Sequence, residues 1–197
     1  MLSPKEIEEN IKSTYSLLTE RGILGGMYFG LMTFCMLLSV KDFQVFFQNF
    51  PWVLLVSTII GIIISNISYE LFLPVFRISN KIVLNSANNI LVTKFANYKT
   101  LRKFREDFLA EDSNSQLKGR IKVDEKQRQT LTYLASTCIV TFLFHILIYR
   151  LYETDSRVVI MVFSIAGFVM ISTFIGIIAR ANSLGCYIGL AQLKKNG

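Results

Sequence analysis

Four stretches of the chain carry no charged residue: Gly22–Val40, Phe43–Tyr69, Gln129–Tyr149 and Val158–Ala179. Each comes close to the roughly 20 apolar helical residues that cross a bilayer core. Four such runs exclude an ordinary soluble globular domain, a disordered chain and a disulfide-built secreted module. They are continuous and lack the period-2 alternation of about ten residues that a transmembrane β-barrel needs. Charged residues are only 18% of the 197, yet the net charge is +7. Charge is therefore segregated from the apolar runs, and the chain reads as an all-α, multi-pass membrane protein.

Lys and Arg set the orientation, because cytoplasmic segments carry their excess. The N-terminal segment holds Lys5, Lys12 and Arg21, and the tail holds Lys194 and Lys195. The segment Ile78–Thr130 holds eleven basic residues against six acidic ones. The short connections Lys41–Pro51 and Tyr152–Arg157 hold little. We therefore expect four transmembrane helices as two hairpins, with both termini and the central insert cytoplasmic. The expected parts are a cytoplasmic amphipathic helix over 1–21, a transmembrane hairpin over 22–76, a basic helical segment over 77–129, a second hairpin over 130–180 and a cytoplasmic tail over 181–197. The first apolar run follows about twenty polar residues, unlike the core of a signal peptide, and is expected to be retained.

Ser57–Ile63 and Ser172–Ile178 match at six of seven positions, with the Ser-Thr pair and the glycine in register. Two readings stay open: a parallel duplication of one hairpin, or helix-packing sequence reached twice. Gly22, Gly26 and Gly30 step by four on the first run, as do Ser57, Gly61 and Ser65 on the second; Ser172 and Gly176 do so on the fourth. Lipid is as apolar as leucine, so helices in a bilayer associate by close approach, which small residues permit. These positions are expected to pack the bundle or to form an interface of a homo-oligomer.

Polar groups at membrane depth need a partner or water. Asn66 and Glu70 lie toward the inner end of the second run, Arg180 at the inner end of the fourth, and His145 toward the outer end of the third. A Glu70–Arg180 pair would make a gate or latch; the alternative is that each snorkels to the headgroups. His145 is expected to hydrogen-bond a neighbouring Ser or Thr, or else to respond to pH or line a pore.

Within the central segment, Lys94–Arg105 interleaves aromatics with Lys94, Lys99, Arg102, Lys103 and Arg105. This pattern suits anionic headgroups or an acidic protein surface; it also suits a solvated face that only records topology. Direct nucleic-acid binding is not expected, since no such module is present. The asparagines at 80, 85, 88, 89 and 97 suggest an early break in the helix. Ala110–Gly119 reads as a polar turn, followed by a short charged helix over Lys122–Gln129. The tail Ala181–Leu193, with Gly185 and Gly189, is expected at the inner interface or beneath the bundle.

One histidine excludes a multi-His metal site. Cys35, Cys138 and Cys186 stand in no CxxC spacing, and no phosphate loop or nucleophile elbow is present. Neither enzyme activity nor a metal or cofactor is expected. The leading reading is an oligomeric inner-membrane scaffold or sensor that docks a soluble cytoplasmic effector. The alternative is a homo-oligomeric ion channel or membrane-permeabilising pore. In size and expected topology the whole chain resembles the four-spanning membrane subunit of the Kiwa anti-phage system. That resemblance rests on no motif, so no family residue is carried over. It implies a homo-oligomer that senses phage attack at the inner membrane and holds a cytosolic DNA-binding partner.

Overall fold

A computed structural model describes residues 23–40, 50–71, 73–91, 94–111 and 116–196. The expected helix over 1–21, Gly22 and residues 41–49 lie outside the described residues, as do the side chains of Ser65, Asn66 and Glu70. The described residues are helical throughout, apart from turns, loops and one isolated bridge between Val40 and Thr154. The helices are α1 (Ile23–Leu37), α2 (Phe50–Leu71), α3 (Leu73–Asn88), α4 (Tyr98–Ala110), α5 (Gln116–Leu151) and α6 (Ser156–Asn196). Among them, α5 and α6 are long and apolar enough to cross a membrane.

The chain forms two compact units, Met1–Leu71 with Tyr133–Ile171, and Phe72–Thr132 with Ser172–Gly197. In the first, apolar unit, α1 meets α2 glycine to glycine. A Cβ added to Gly61 would lie 2.6 Å from the Gly26 carbonyl oxygen, and one added to Gly30 would lie 2.8 Å from Thr58 Oγ1. A Cβ on Gly26 would run into Ile62. Ser57 is buried on the same helix. The close contacts of Gly26, Gly30 and Gly61 are thus made inside the chain. Met32, Met36 and Val40 then pack with Ile148, Val159, Val162 and Ala166. The Asp155 amide donates to the Ser39 carbonyl at 2.8 Å, fastening the end of this segment to the α5–α6 connection. Ile160, Met161, Ile165, Phe168 and Ile171 of α6 are exposed.

In the second, polar unit, α3 starts with Pro74 in its first turn, where the missing N–H has no intrahelical partner to lose. It stops at Asn88, whose side chain accepts from the Phe95 amide at 2.8 Å and donates to its carbonyl at 3.1 Å. The next helix, α4, begins on a reciprocal cap: Asn97 Oδ1 accepts from the Thr100 amide and Thr100 Oγ1 from the Asn97 amide. The asparagine-rich stretch breaks the helix, as its composition suggests.

One expectation is corrected here. Gly119 is no turn residue: it lies inside α5, one continuous helix of 36 residues. The tail, for which no secondary structure was expected, is helical. It is the end of the 41-residue α6, and its Ala181, Leu184, Ile188 and Ala191 are buried with Val83, Ala87, Leu101, Phe108 and Ile121. Those four tail positions fall on one helix face. Gly189 sits against α3, where an added Cβ would come within 3.1 Å of the Ala87 carbonyl, and Gly185 abuts Val83. The tail glycines are close-approach sites rather than breakers.

Candidate functional site

The polar unit is organised by a buried guanidinium. Arg128 on α5 is fully buried. Its Nη1 donates to Ser79 Oγ at 2.9 Å and to Asn80 Oδ1 at 2.8 Å, both on α3. Its Nε and Nη2 donate to the two oxygens of Glu125, at 3.0–3.1 Å. The guanidinium also stands over the Phe76 ring, 5.1 Å from the centroid. Glu125 accepts further from Gln129 Nε2 at 2.6 Å and forms an ion pair with Arg105 Nη1 of α4 at 3.0 Å. Burial pushes the Glu125 carboxyl up, but Arg128 and Arg105 more than reverse this, and it titrates below its ordinary value. The forked geometry of arginine serves this many partners at once, as lysine would not. The network fastens α3, α4 and α5 together, and its donors are spent on protein groups.

Around it, α4 divides into two faces. Leu101, Arg105 and Phe108 are buried, and Phe104 lies 5.6 Å from Phe95 and 6.2 Å from Phe108 by ring centroid. Lys99, Arg102 and Lys103 are exposed on the other face, and Lys94 is exposed just before it. Arg102 pairs with Glu106 one turn on, at 2.7 Å, a surface bond of small energetic weight. Arg105 therefore leaves the expected binding set. It is a structural residue, because its spacing from Leu101 and Phe108 turns it inward to Glu125.

Arg180 takes a partner other than the one expected of it. Its Nη1 donates to Asp124 Oδ1 at 3.1 Å, while Ser183 Oγ donates to Asp124 Oδ2 at 2.5 Å. Asp124 is almost wholly buried, and Arg180 is half exposed. Beside this pair opens a groove of about 520 Å³ between α5 and α6. Arg120 lines it, donating to the Tyr187 hydroxyl at 3.3 Å and standing 5.6 Å from that ring's centroid. Val123 lies exposed at its side.

His145 in the apolar unit also differs from expectation. It is fully buried against Phe163, with rings edge to face at 6.2 Å, and neither ring nitrogen has a hydrogen-bond partner. The neighbouring hydroxyls are turned to their own helix: Thr141 Oγ1 donates to the Thr137 carbonyl and Thr137 Oγ1 to that of Tyr133. Gly176 meets only the tip of Leu131, and Ser172 is exposed. The two copies of the Ser-Thr-x-x-Gly sequence thus sit in different surroundings, backbone against Gly61 and a flexible side chain against Gly176.

Sequence reasoning missed Arg128, Glu125, Asp124 and Ser79. The Glu125–Arg128 spacing of three at the mouth of an apolar run is a local signal for a paired charge. The α3 partners lie 48 and 49 residues away and give no such signal. No protein-family model, curated protein or solved structure matches the chain.

Proposed function

We propose that the protein is an oligomeric scaffold or sensor of the inner membrane. Four helices cross the bilayer as two hairpins with both termini cytoplasmic, and the polar unit docks a soluble effector. The observation that carries the reading is the outer face of α4. Lys99, Arg102 and Lys103, with Lys94 before them, stand exposed on a helix whose other face is locked into a core. The Arg128 network supports it, since a platform already rigid when the partner arrives loses little entropy on binding. The resemblance in size and topology to the four-spanning Kiwa subunit favours a role in anti-phage defence and a nucleic-acid-binding partner. Affinity capture of the detergent-solubilised chain tests this. A soluble protein at fixed stoichiometry should be retained by the wild type and lost when Lys94, Lys99, Arg102 and Lys103 are all changed to glutamine. Recovery of no such protein, or equal recovery with the variant, removes the reading.

A second reading, a homo-oligomeric pore, draws on one observation. Thr33 Oγ1 and both nitrogens of His145 are buried in the apolar unit without hydrogen bonds. Buried polar atoms are costly unless they find water or a partner, and a hydrated path would supply it. Conductance across planar bilayers that disappears in His145→Phe supports the pore; silence under all conditions supports the scaffold.

A further inference from the structure

We propose that the groove between Arg120 and Arg180 holds the headgroup of an anionic phospholipid. This rests on the membrane-crossing part of the reading above and not on the docking part.

Two guanidiniums and two hydroxyls converge on one open groove whose single carboxylate is already engaged. Both oxygens of Asp124 accept hydrogen bonds, from Arg180 and from Ser183. Asp124 therefore orients Arg180, which still has donors free for a ligand. Arg120 is held in place by Tyr187 through one hydrogen bond and the ring face. Guanidiniums match phosphate oxygens in geometry as well as charge. The volume, about 520 Å³, exceeds what a lone phosphate fills and suits a glycerophosphate headgroup. Gly119 lines the groove, and an added Cβ there would meet nothing within 4 Å.

The depth is that of a headgroup. Arg180 directly follows the charge-free run of α6. With a helical rise of about 1.5 Å per residue, Asp124 lies roughly 7 Å and Arg120 roughly 13 Å outside the start of the α5 run. The interfacial layer is about 5–7 Å thick on each side of the hydrocarbon. Arg180 and Asp124 thus fall at its depth, and Arg120 lies just beyond, within reach of a phosphate through its own length. Basic pockets between membrane helices at the inner face are where anionic headgroups bind.

The test uses the full chain purified in neutral detergent and titrated with phosphatidylglycerol or phosphatidylcholine, counting retained lipid by native mass spectrometry. Phosphatidylglycerol should be preferred. Arg120→Gln, which disturbs only the contact with Tyr187, should cut that preference by about fivefold, the weight of one basic residue at an anionic surface. The pair Lys99→Gln and Lys103→Gln should leave it unchanged. Equal retention of the two lipids overturns the proposal, as does a preference indifferent to Arg120→Gln or lost in the Lys99/Lys103 variant. Binding of inorganic phosphate without lipid preference would assign the groove to a free anion and overturn it as well. A chain that stays in solution without detergent would instead defeat the membrane reading. Loss of the captured partner with lipid preference intact would touch only the docking reading.

Discussion

In the apolar unit, α1 and α2 approach through glycine; in the polar unit α6 meets α3 in the same way, through Gly185 and Gly189, but α3, α4 and α5 are joined through arginine. Gly61 lies so close to α1 that no side chain fits between them, whereas α3 and α5 meet through Arg128, which fills its gap with donors. The surroundings explain the contrast. On the proposed reading, in which α1 and α2 cross the bilayer, there is no hydrophobic gain in bringing two apolar helices together, so contact must come from close packing. A guanidinium there would face hydrocarbon, at a cost of several kcal/mol. In the polar unit, apolar residues of α3, α4, α5 and α6 gain from leaving water, and a buried charge is tolerated because all its neighbours are arranged around it. Among the described residues, buried side-chain atoms without a hydrogen bond occur in both units: Thr33 Oγ1 and the two His145 nitrogens in the apolar one, Arg105 Nη1 and Gln192 Oε1 in the polar one. The comparison therefore separates an α1–α2 junction made by shape from an α3–α5 junction made by charge, and each can be broken by a change the other would tolerate.

The largest effect is expected from Arg128→Met. It keeps an unbranched apolar stem but strands Ser79 and Asn80 and leaves Glu125 with Arg105 and Gln129. Breaking a buried pair this way costs about 3–5 kcal/mol. Hydrogen exchange should show α3 amides losing protection while those of α1 keep theirs. Equal loss in both helices, or none in α3, would mean that charge does not define the polar unit. Next comes Gly61→Val, which forces a Cβ against a backbone oxygen that moves only with its helix. Overpacking of this kind costs about 1–3 kcal/mol, and here α1 and α2 should lose protection while α3 keeps it. Gly176→Ala is the internal control: it presses only on the flexible tip of Leu131 at 3.0 Å and should be milder.

Much of this was legible in the residues. The charge-free runs mark where α1, α2, α5 and α6 are apolar, and the asparagines mark the α3–α4 break. One continuity was hidden. Polar residues and Gly119 made the start of α5 look like a turn, because a solvated helix face and a loop share a composition. In the tail, Ala181, Leu184, Ile188 and Ala191 keep a helical period, and Gly185 and Gly189 are there for α3. The candidate site was legible only in part. Lys94, Lys99, Arg102 and Lys103 are where a basic amphipathic helix puts them. Arg105 belongs by spacing to the buried stripe, but a charge in that stripe is believable only once Glu125 is known to wait for it. Arg128 and Arg180 stand at the edges of apolar runs, where a basic residue is already explained by topology, so nothing local asked for their partners.

Acid should separate the two units more gently than mutation. The Glu125 carboxyl titrates below its ordinary value of 4.5 because Arg128 and Arg105 overcome the effect of its burial. A carboxyl lowered in the folded state adds stability that is complete above its unfolded value and is lost as pH falls through the folded one. The polar unit should therefore weaken below about pH 4.5, starting with α3, while α1 amides stay protected. Glu125→Gln should lower stability at neutral pH and flatten this acid limb. An unchanged limb in the variant would move the titration to another carboxylate and detach it from the arginine network.

The smallest effect is a gain. Gly119 lies inside α5, where a Cβ would meet nothing within 4 Å and the backbone has no positive φ to protect. Glycine in a helix interior is worse than alanine by about 0.5–1 kcal/mol, because the unfolded chain loses more freedom. Gly119→Ala should stabilise the polar unit by that amount, read as a rise in its denaturant midpoint, and leave the apolar unit unmoved. It is the counterpart of Gly61, where the same added methyl meets a backbone oxygen. The two glycines differ only in what stands opposite: a neighbouring helix at Gly61, an open groove at Gly119. A loss of stability in Gly119→Ala would show that the groove is occupied by something the added methyl displaces. That result would sharpen the contrast, giving the polar unit a glycine kept for a ligand where the apolar unit keeps its own for a helix.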